Sequence, residues 1–240
     1  MVELGQIALI LSFMMAGYST IVGFAGGMLN GRDLAASARW GFYSIAPLLL
    51  LATAALIYAF VTNDFSVKYV AENSNIAMPK AYAWVAFYSG NAGSLLYISL
   101  AFSIMAGIAI RIVNSKLPYT SPYALGVMSM VLLFFLAVIL FLANPLDQHQ
   151  VPLEDGQGMN PLLIHFGMFI HPPFQMLGLI SVALPFSIAI GALLAGRGGR
   201  DEWVDQGRLW GMVSWLLLTT GLLLGAWWAY TILGWGGYWA

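Results

Sequence analysis

Six stretches of the chain stay apolar long enough to cross a bilayer: roughly residues 4–24, 40–61, 95–113, 123–143, 174–194 and 209–229. Each is close to the twenty or so residues that a helix needs to span hydrocarbon. Each must be helical there, because lipid offers nothing to bond an open backbone. The pattern therefore predicts an all-α polytopic integral membrane protein with about six transmembrane helices, forming a single membrane domain over residues 1–240. Pro47 and Pro185 fall inside spans and predict kinks or helix starts. Gly17, Gly23, Gly107, Gly178, Gly191, Gly221 and Gly225 predict close helix packing, the last two as a GxxxG pair. Residues 82–93 mix aromatics with Ser89, Gly90 and Asn91 and predict a helix lying along the interface.

Composition agrees with the pattern: 60% of residues are hydrophobic and 8% charged, against about 25% charged in soluble domains. The chain has no cysteine, which excludes a disulfide framework, a thiolate metal site and a redox CxxC. A net charge of −1 and the absence of a long basic run argue against a nucleic-acid surface. The start, Met1-Val2-Glu3-Leu4, lacks the positive region of a secretory signal, so the first apolar stretch reads as a retained helix.

The charges separate when the loops are taken alternately. Arg32, Arg39, Arg111, Lys116, Arg197, Arg200 and Arg208 fall on one side; Lys68 and Lys80 fall on the other with Glu3, Asp64, Glu72, Asp147, Glu154 and Asp155. The positive-inside rule makes the first side cytoplasmic. The N-terminus, the loops at 62–94 and 144–173 and the tryptophan-rich end then face outward, which in a bacterium is the periplasm. Those loops are the longer ones, and function is expected there. Asp64 and Glu72 read as solvated carboxylates rather than catalytic ones.

Candidate chemistry concentrates at that face. The last residues hold Trp227, Trp228, Trp235 and Trp239, with Gly234, Gly236 and Gly237 among them. An interfacial aromatic belt explains Trp227, Trp228 and Tyr230. It explains the paired glycines less well, and these suit close approach by something flat. All three histidines, His149, His165 and His171, lie outside the apolar stretches, so no bis-histidine b-type haem can be clamped within these spans. Pro172 biases His171 away from helical backbone, which predicts that it stands just ahead of the fifth span, as an axial metal ligand or as an interfacial histidine bonded to a loop. His165 is expected on a different face as a structural residue, and His149 to be solvated. Flat rings, bare backbone and a histidine on one face suit a metal-bearing planar macrocycle such as haem.

These residues also carry a resemblance. Glu3-Leu4-Gly5, Asn63-Asp64-Phe65, Tyr69-Val70-Ala71 with Asn73-Ser74-Asn75, Gly93-Ser94-Leu95-Leu96, Asn144-Pro145, Asn160-Pro161-Leu162-Leu163, His171-Pro172-Pro173, Gly225-x-Trp227-Trp228-Ala229-Tyr230 and Leu233-Gly234-Trp235-Gly236-Gly237-x-Trp239 resemble the N-terminal part of the CcmF family. That family is the membrane haem lyase component of System I cytochrome c maturation. The resemblance implies haem as the cofactor in transit and His171 as its axial iron ligand. It implies Trp227, Trp228, Trp235, Gly236, Gly237 and Trp239 as the haem platform, with no catalytic side chain named beyond these. It further implies thioether formation on the CxxCH motif of apocytochrome c, residence in the inner membrane, and the haem chaperone CcmE and CcmH/CcmI-type apocytochrome-presenting proteins as partners. Relatives carry His-Glu where this chain has Asn91-Ala92, which leaves that pair without an implied role. The resemblance also implies a longer protein, truncated or split, whose remaining part completes the haem site, so weak or absent haem affinity is expected without it. A membrane transporter and a non-catalytic scaffold for other maturation proteins remain as alternative functions.

Overall fold

The structure, a computed structural model, describes residues 1–151, 153–199 and 201–234, with the Leu233 side chain left out. Arg200, Trp235, Gly236, Gly237 and Trp239 therefore lie outside the described residues. The described chain is helical: α1 (Val2–Met28), α2 (Arg32–Tyr43), α3 (Ile45–Val61), α4 (Lys68–Asn73), α5 (Lys80–Ala86), α6 (Asn91–Lys116), α7 (Ser121–Phe141), α8 (Gly167–Ser181), α9 (Ala183–Leu194) and α10 (Glu202–Leu233). A 3₁₀ turn, Pro161–Leu163, precedes α8.

Among the described residues, six helical runs are long and apolar enough to cross a membrane: Val2–Met28, Arg32–Val61, Asn91–Lys116, Ser121–Phe141, Gly167–Leu194 and Glu202–Ile232. Two of them contain an interruption, at Ser44 between α2 and α3 and at Val182 between α8 and α9. Both lie three residues before a proline, Pro47 or Pro185. A proline removes the bond to the carbonyl four residues back and crowds it, which opens the ladder there. Ser44 and Val182 nevertheless keep right-handed helical angles, so each span continues through its interruption. The interfacial helix proves shorter than expected, as α5 ends at Ala86 and the backbone then turns into α6.

Helix packing follows the small residues. α1 lies against α7, α2 and α3, while α8 lies against α10 and α9 against α7. A methyl on Gly23 would come within 3.3 Å of the Gly126 backbone, and one on Gly191 within 2.7 Å of the Ala124 backbone. Gly178 meets the Leu218 backbone more closely still. Two glycines depart from the expectation, since Gly17 and Gly107 have no atom nearer than 3.8 and 3.7 Å to such a methyl. A methyl there would make ordinary van der Waals contact, so these two are looser than the others.

The two long connections, residues 62–90 and 142–166, clasp one another at the end of the bundle that carries the three histidines. Val67 and Gln148 form an antiparallel bridge, with Lys68 N donating to the Asp147 carbonyl at 2.9 Å and His149 N to the Ser66 carbonyl at 2.7 Å. Ile76 N donates to Asp155 Oδ1 at 2.9 Å and Gln157 N to the Ala71 carbonyl at 2.7 Å. Asp64 is used locally, its Oδ1 accepting from the Ser66 hydroxyl, and Glu72 is exposed. His149 is held through its backbone and is half-buried rather than solvated.

Tyr69, 6% exposed, is the core of this clasp; its hydroxyl accepts from Gly90 N at 2.8 Å. Burial pushes its hydroxyl from 10.0 to about 12. A raised folded-state value means that the unfolded chain loses its proton first, so stability is intact below pH 10 and falls as pH rises towards 12. Unfolding followed against pH should show a loss on the order of 1.4 kcal/mol per pH unit across that window, and Tyr69→Phe should remove that share of the slope.

Candidate functional site

The site forms where α8 enters the bundle against the far end of α10. Asn160 Oδ1 accepts from Leu162 N at 3.0 Å and starts the 3₁₀ turn. His165 Nδ1 then accepts from Gly167 N at 3.0 Å, taking up a free donor of the new helix. α8 runs from Gly167 straight through Pro172 and Pro173. His171 therefore lies inside α8, with Gln175 one turn further along the same face. This corrects the expectation of extended backbone ahead of the span.

The reason for the correction lies outside the local sequence. Pro172 has no N–H for the Met168 carbonyl, and that loss would ordinarily break the helix. The Tyr88 hydroxyl supplies the missing donor, bonding the Met168 carbonyl at 3.0 Å from 80 positions away. Burial pushes the Tyr88 hydroxyl far above the ordinary phenol range, so it stays protonated and able to donate. Tyr88→Phe should leave that buried carbonyl bare at a cost of about 1–3 kcal/mol, and hydrogen exchange should show faster opening of α8 at residues 167–172 than of α6 or α7.

The GxxxG pair of α10 seats two α8 side chains. A methyl on Gly225 would stand 2.6 Å from His171 Cε1, and one on Gly221 2.8 Å from Gln175 Oε1. Gly221 also offers its carbonyl, 2.9 Å from His171 Nδ1. A carbonyl oxygen can only accept, so Nδ1 carries the hydrogen and Nε2 keeps its lone pair. His165 is set the opposite way, because its Nδ1 accepts an N–H and Nε2 must hold the hydrogen. Of the two, His171 is the one whose Nδ1 is fixed by a carbonyl, an arrangement shared with metal-binding histidines.

Trp228 joins both histidines. Its ring stacks on His165 at 6.2 Å and 13° and meets His171 edge-on at 5.7 Å and 66°. It lies against Gly167, where a methyl would stand 2.6 Å from its Cγ. Trp227 is 42% exposed and contacts His165 at 5.6 Å. Leu162, Leu163, His171, Gly225, Trp228 and Ile232 border an open, mainly apolar hollow of about 270 Å³. That is slightly below the range of enclosed ligand pockets, so the hollow suits one edge of a flat group rather than the whole of it. The donor set fits a haem: one imidazole with a free Nε2, bordered by apolar and aromatic surface. Among the described residues no group of three or more His, Cys, Asp or Glu gathers to hold a metal ion on its own.

Sequence reasoning thus placed His171, Trp227 and Trp228 at one end of the bundle, and the structure brings His171 and Trp228 into contact. His165 belongs beside them, which the six-residue spacing from His171 concealed. Tyr88 was missed as well. Asn91 opens α6 at an exposed position.

Comparison with known proteins gives this geometry a family. The family model described as cytochrome c assembly protein matches residues 88–240. The chain belongs to that family. Within this cytochrome c assembly family, the chain is 39% identical to the cytochrome c-type biogenesis protein CcmF of Pseudomonas fluorescens, over 99% of this chain and 36% of that protein. It is 38% identical to CcmF of Escherichia coli over 82% of this chain and 30% of the relative. The biogenesis protein NrfE of Haemophilus influenzae is 33% identical over 99% of the chain and 37% of its own length. A solved structure titled cytochrome c heme lyase CcmF superposes with a TM-score of 0.83 at 26% identity, covering 100% of this chain and 38% of that one. The matched stretch spans 30% to 38% of the length of these relatives.

Proposed function

We propose that this chain is the haem-presenting part of a haem lyase in cytochrome c biogenesis. The observation that carries the reading is the His171 imidazole, tied through Nδ1 to the Gly221 carbonyl so that Nε2 keeps its lone pair, on a residue that borders the Trp228 hollow. The identities with CcmF and NrfE support the same reaction class. In this reading His171 binds the iron of the haem substrate from one face. Trp228 and Trp227 border the ring, and Trp235, Gly236, Gly237 and Trp239 extend the platform.

The substrate apocytochrome brings two reduced CxxCH thiols. Each S–H adds across one haem vinyl group: sulfur bonds the carbon next to the porphyrin, the hydrogen ends on the terminal carbon, and no oxidant is consumed. Both thiols arrive with the substrate, which agrees with this chain's lack of cysteine. The proposed setting is the inner membrane with the histidine end at the periplasmic face, given the one-sided arginines. The proposed partners are the chaperone CcmE, CcmH/CcmI-type presenting proteins and the remainder of the lyase.

Cytochrome c production tests the reading, in a strain lacking its own lyase and supplied with this chain and the C-terminal remainder of a CcmF relative. Restoration that disappears with His171→Ala is expected. Restoration indifferent to that change would favour a docking scaffold.

A further inference from the structure

The opposite end of the bundle holds a second polar hollow that the haem reading does not use. It occupies about 560 Å³ where the end of α1 meets α2, α6 and α7, and Asn30, Arg32, Arg39, Asn114 and Tyr119 border it. Gly26, Gly27 and Gly31 also border it, Gly26 packed directly against the Ala35 backbone of α2. Among the described residues, no carboxylate pairs with Arg32 or Arg39; the ion pair found among them joins Arg208 to Asp205. A third guanidinium, that of Arg197, stands 4.5 Å over the Tyr119 ring at the rim. Arg39 is half-buried, and a partly desolvated cation without a counterion favours an anion.

A second hollow adjoins it. Ala35, Arg39, Tyr43 and Ala46 follow at helical spacing along α2 and α3 and so share one stripe. The first two border the polar hollow, and the last two border a trough of about 320 Å³ completed by Ser103, Ile104, Gly107, Ile108 and Arg111 of α6. Gly107 keeps the trough open, since nothing lies nearer than 3.7 Å to where a side chain would begin. Ile104 and Ile108 are 47% and 53% exposed on a surface that faces hydrocarbon. Arg39 borders the polar hollow and Arg111 the trough, with Tyr43 one turn beyond Arg39 on the shared stripe.

We propose that this pair of hollows binds one anionic phospholipid, its phosphate among Arg32, Arg39 and Asn30 and an acyl chain along the Gly107 trough. The trough distinguishes a lipid from a soluble phosphate ester, which would use the polar hollow alone. Neither hollow touches the haem site, and the lipid fits whichever leaflet this end faces.

The test uses the chain purified in detergent and stripped of lipid, with binding read by native mass spectrometry and melting temperature. Phosphatidylglycerol, phosphatidylcholine of the same acyl chains, and glycerol 3-phosphate are the probes. Phosphatidylglycerol should be retained over phosphatidylcholine by roughly fivefold for each arginine engaged. Arg39→Gln should reduce that preference about fivefold, and Gly107→Leu should weaken both lipids by blocking the trough. Arg208→Gln, outside the hollow, should change neither. Equal retention of the two lipids, or a preference unmoved by Arg39→Gln, would overturn the proposal. So would glycerol 3-phosphate matching the lipid at millimolar concentration. Should Arg39→Gln fail to fold, Gly107→Leu decides: undiminished lipid binding there sinks the idea.

Discussion

Gly225→Ala is expected to displace the proposed haem ligand, His171, without removing a single polar group. The added methyl would stand 2.6 Å from His171 Cε1 and 2.9 Å from Nδ1. The obstacle on the α8 side is a ring already held by the Gly221 carbonyl, so it cannot swing aside and keep its bond. Either α10 moves away from α8 or the imidazole turns. Overpacking of this kind costs about 1–3 kcal/mol. Displacing the bond that orients a metal-binding histidine costs about 10–100-fold in affinity. Haem retained by the chain, co-produced with the C-terminal remainder of a relative and measured by absorbance, should fall by that factor. Gly211→Ala is the matched control, since nothing lies within 4 Å of that site on the same helix. Haem retention unchanged in Gly225→Ala would mean that His171 does not hold the iron from this position.

The second large effect separates the two histidines that touch Trp228. His171→Ala should abolish the haem absorbance shift, whereas His165→Ala, which removes no iron ligand, should leave affinity within about threefold, the scale of one ordinary hydrogen bond. The contrast follows from opposite hydrogen-bond partners: a carbonyl at His171 Nδ1 and a backbone N–H at His165 Nδ1. A loss shared equally would mean that both imidazoles reach the iron, and a loss confined to His165→Ala would transfer the ligand assignment to that residue. His171→Gln provides the check on packing, because it keeps bulk against Gly225 while removing the imidazole. It should behave like the alanine variant.

Much of the membrane architecture was legible because one physical demand dominates it. Every span must hide its backbone in a helix and present apolar side chains over a fixed thickness, so the sequence cannot disguise it. The interruptions at Ser44 and Val182 were equally legible through Pro47 and Pro185, whose effect acts four residues back in the same helix. The setting of His171 was not. The local rule, that a residue before proline leaves the helical region, is sound. It was overridden by Tyr88, whose hydroxyl replaces the lost donor from a distant loop. His165 was hidden for a related reason. Its position relative to His171 was judged along one continuous helix, but α8 begins only at Gly167 and the backbone leaves helical angles at Ile164; the two rings converge on Trp228 instead of diverging. The glycines show the same division. Gly221 and Gly225 carried a spacing signal of packing, yet that they press on Gln175 and His171 could be learned only from the partner helix.

The Tyr88 bond gives the ligand a long lever arm. His171 owes its helical backbone to a hydroxyl from the 62–90 connection, which is braced in turn by the 142–166 connection through Lys68, His149 and Ile76. The imidazole's readiness is thus stored in the clasp as much as in α8 and α10. Grafting the helix pair alone into another bundle would carry over the histidine and its carbonyl, but leave behind the part that keeps the proline turn wound.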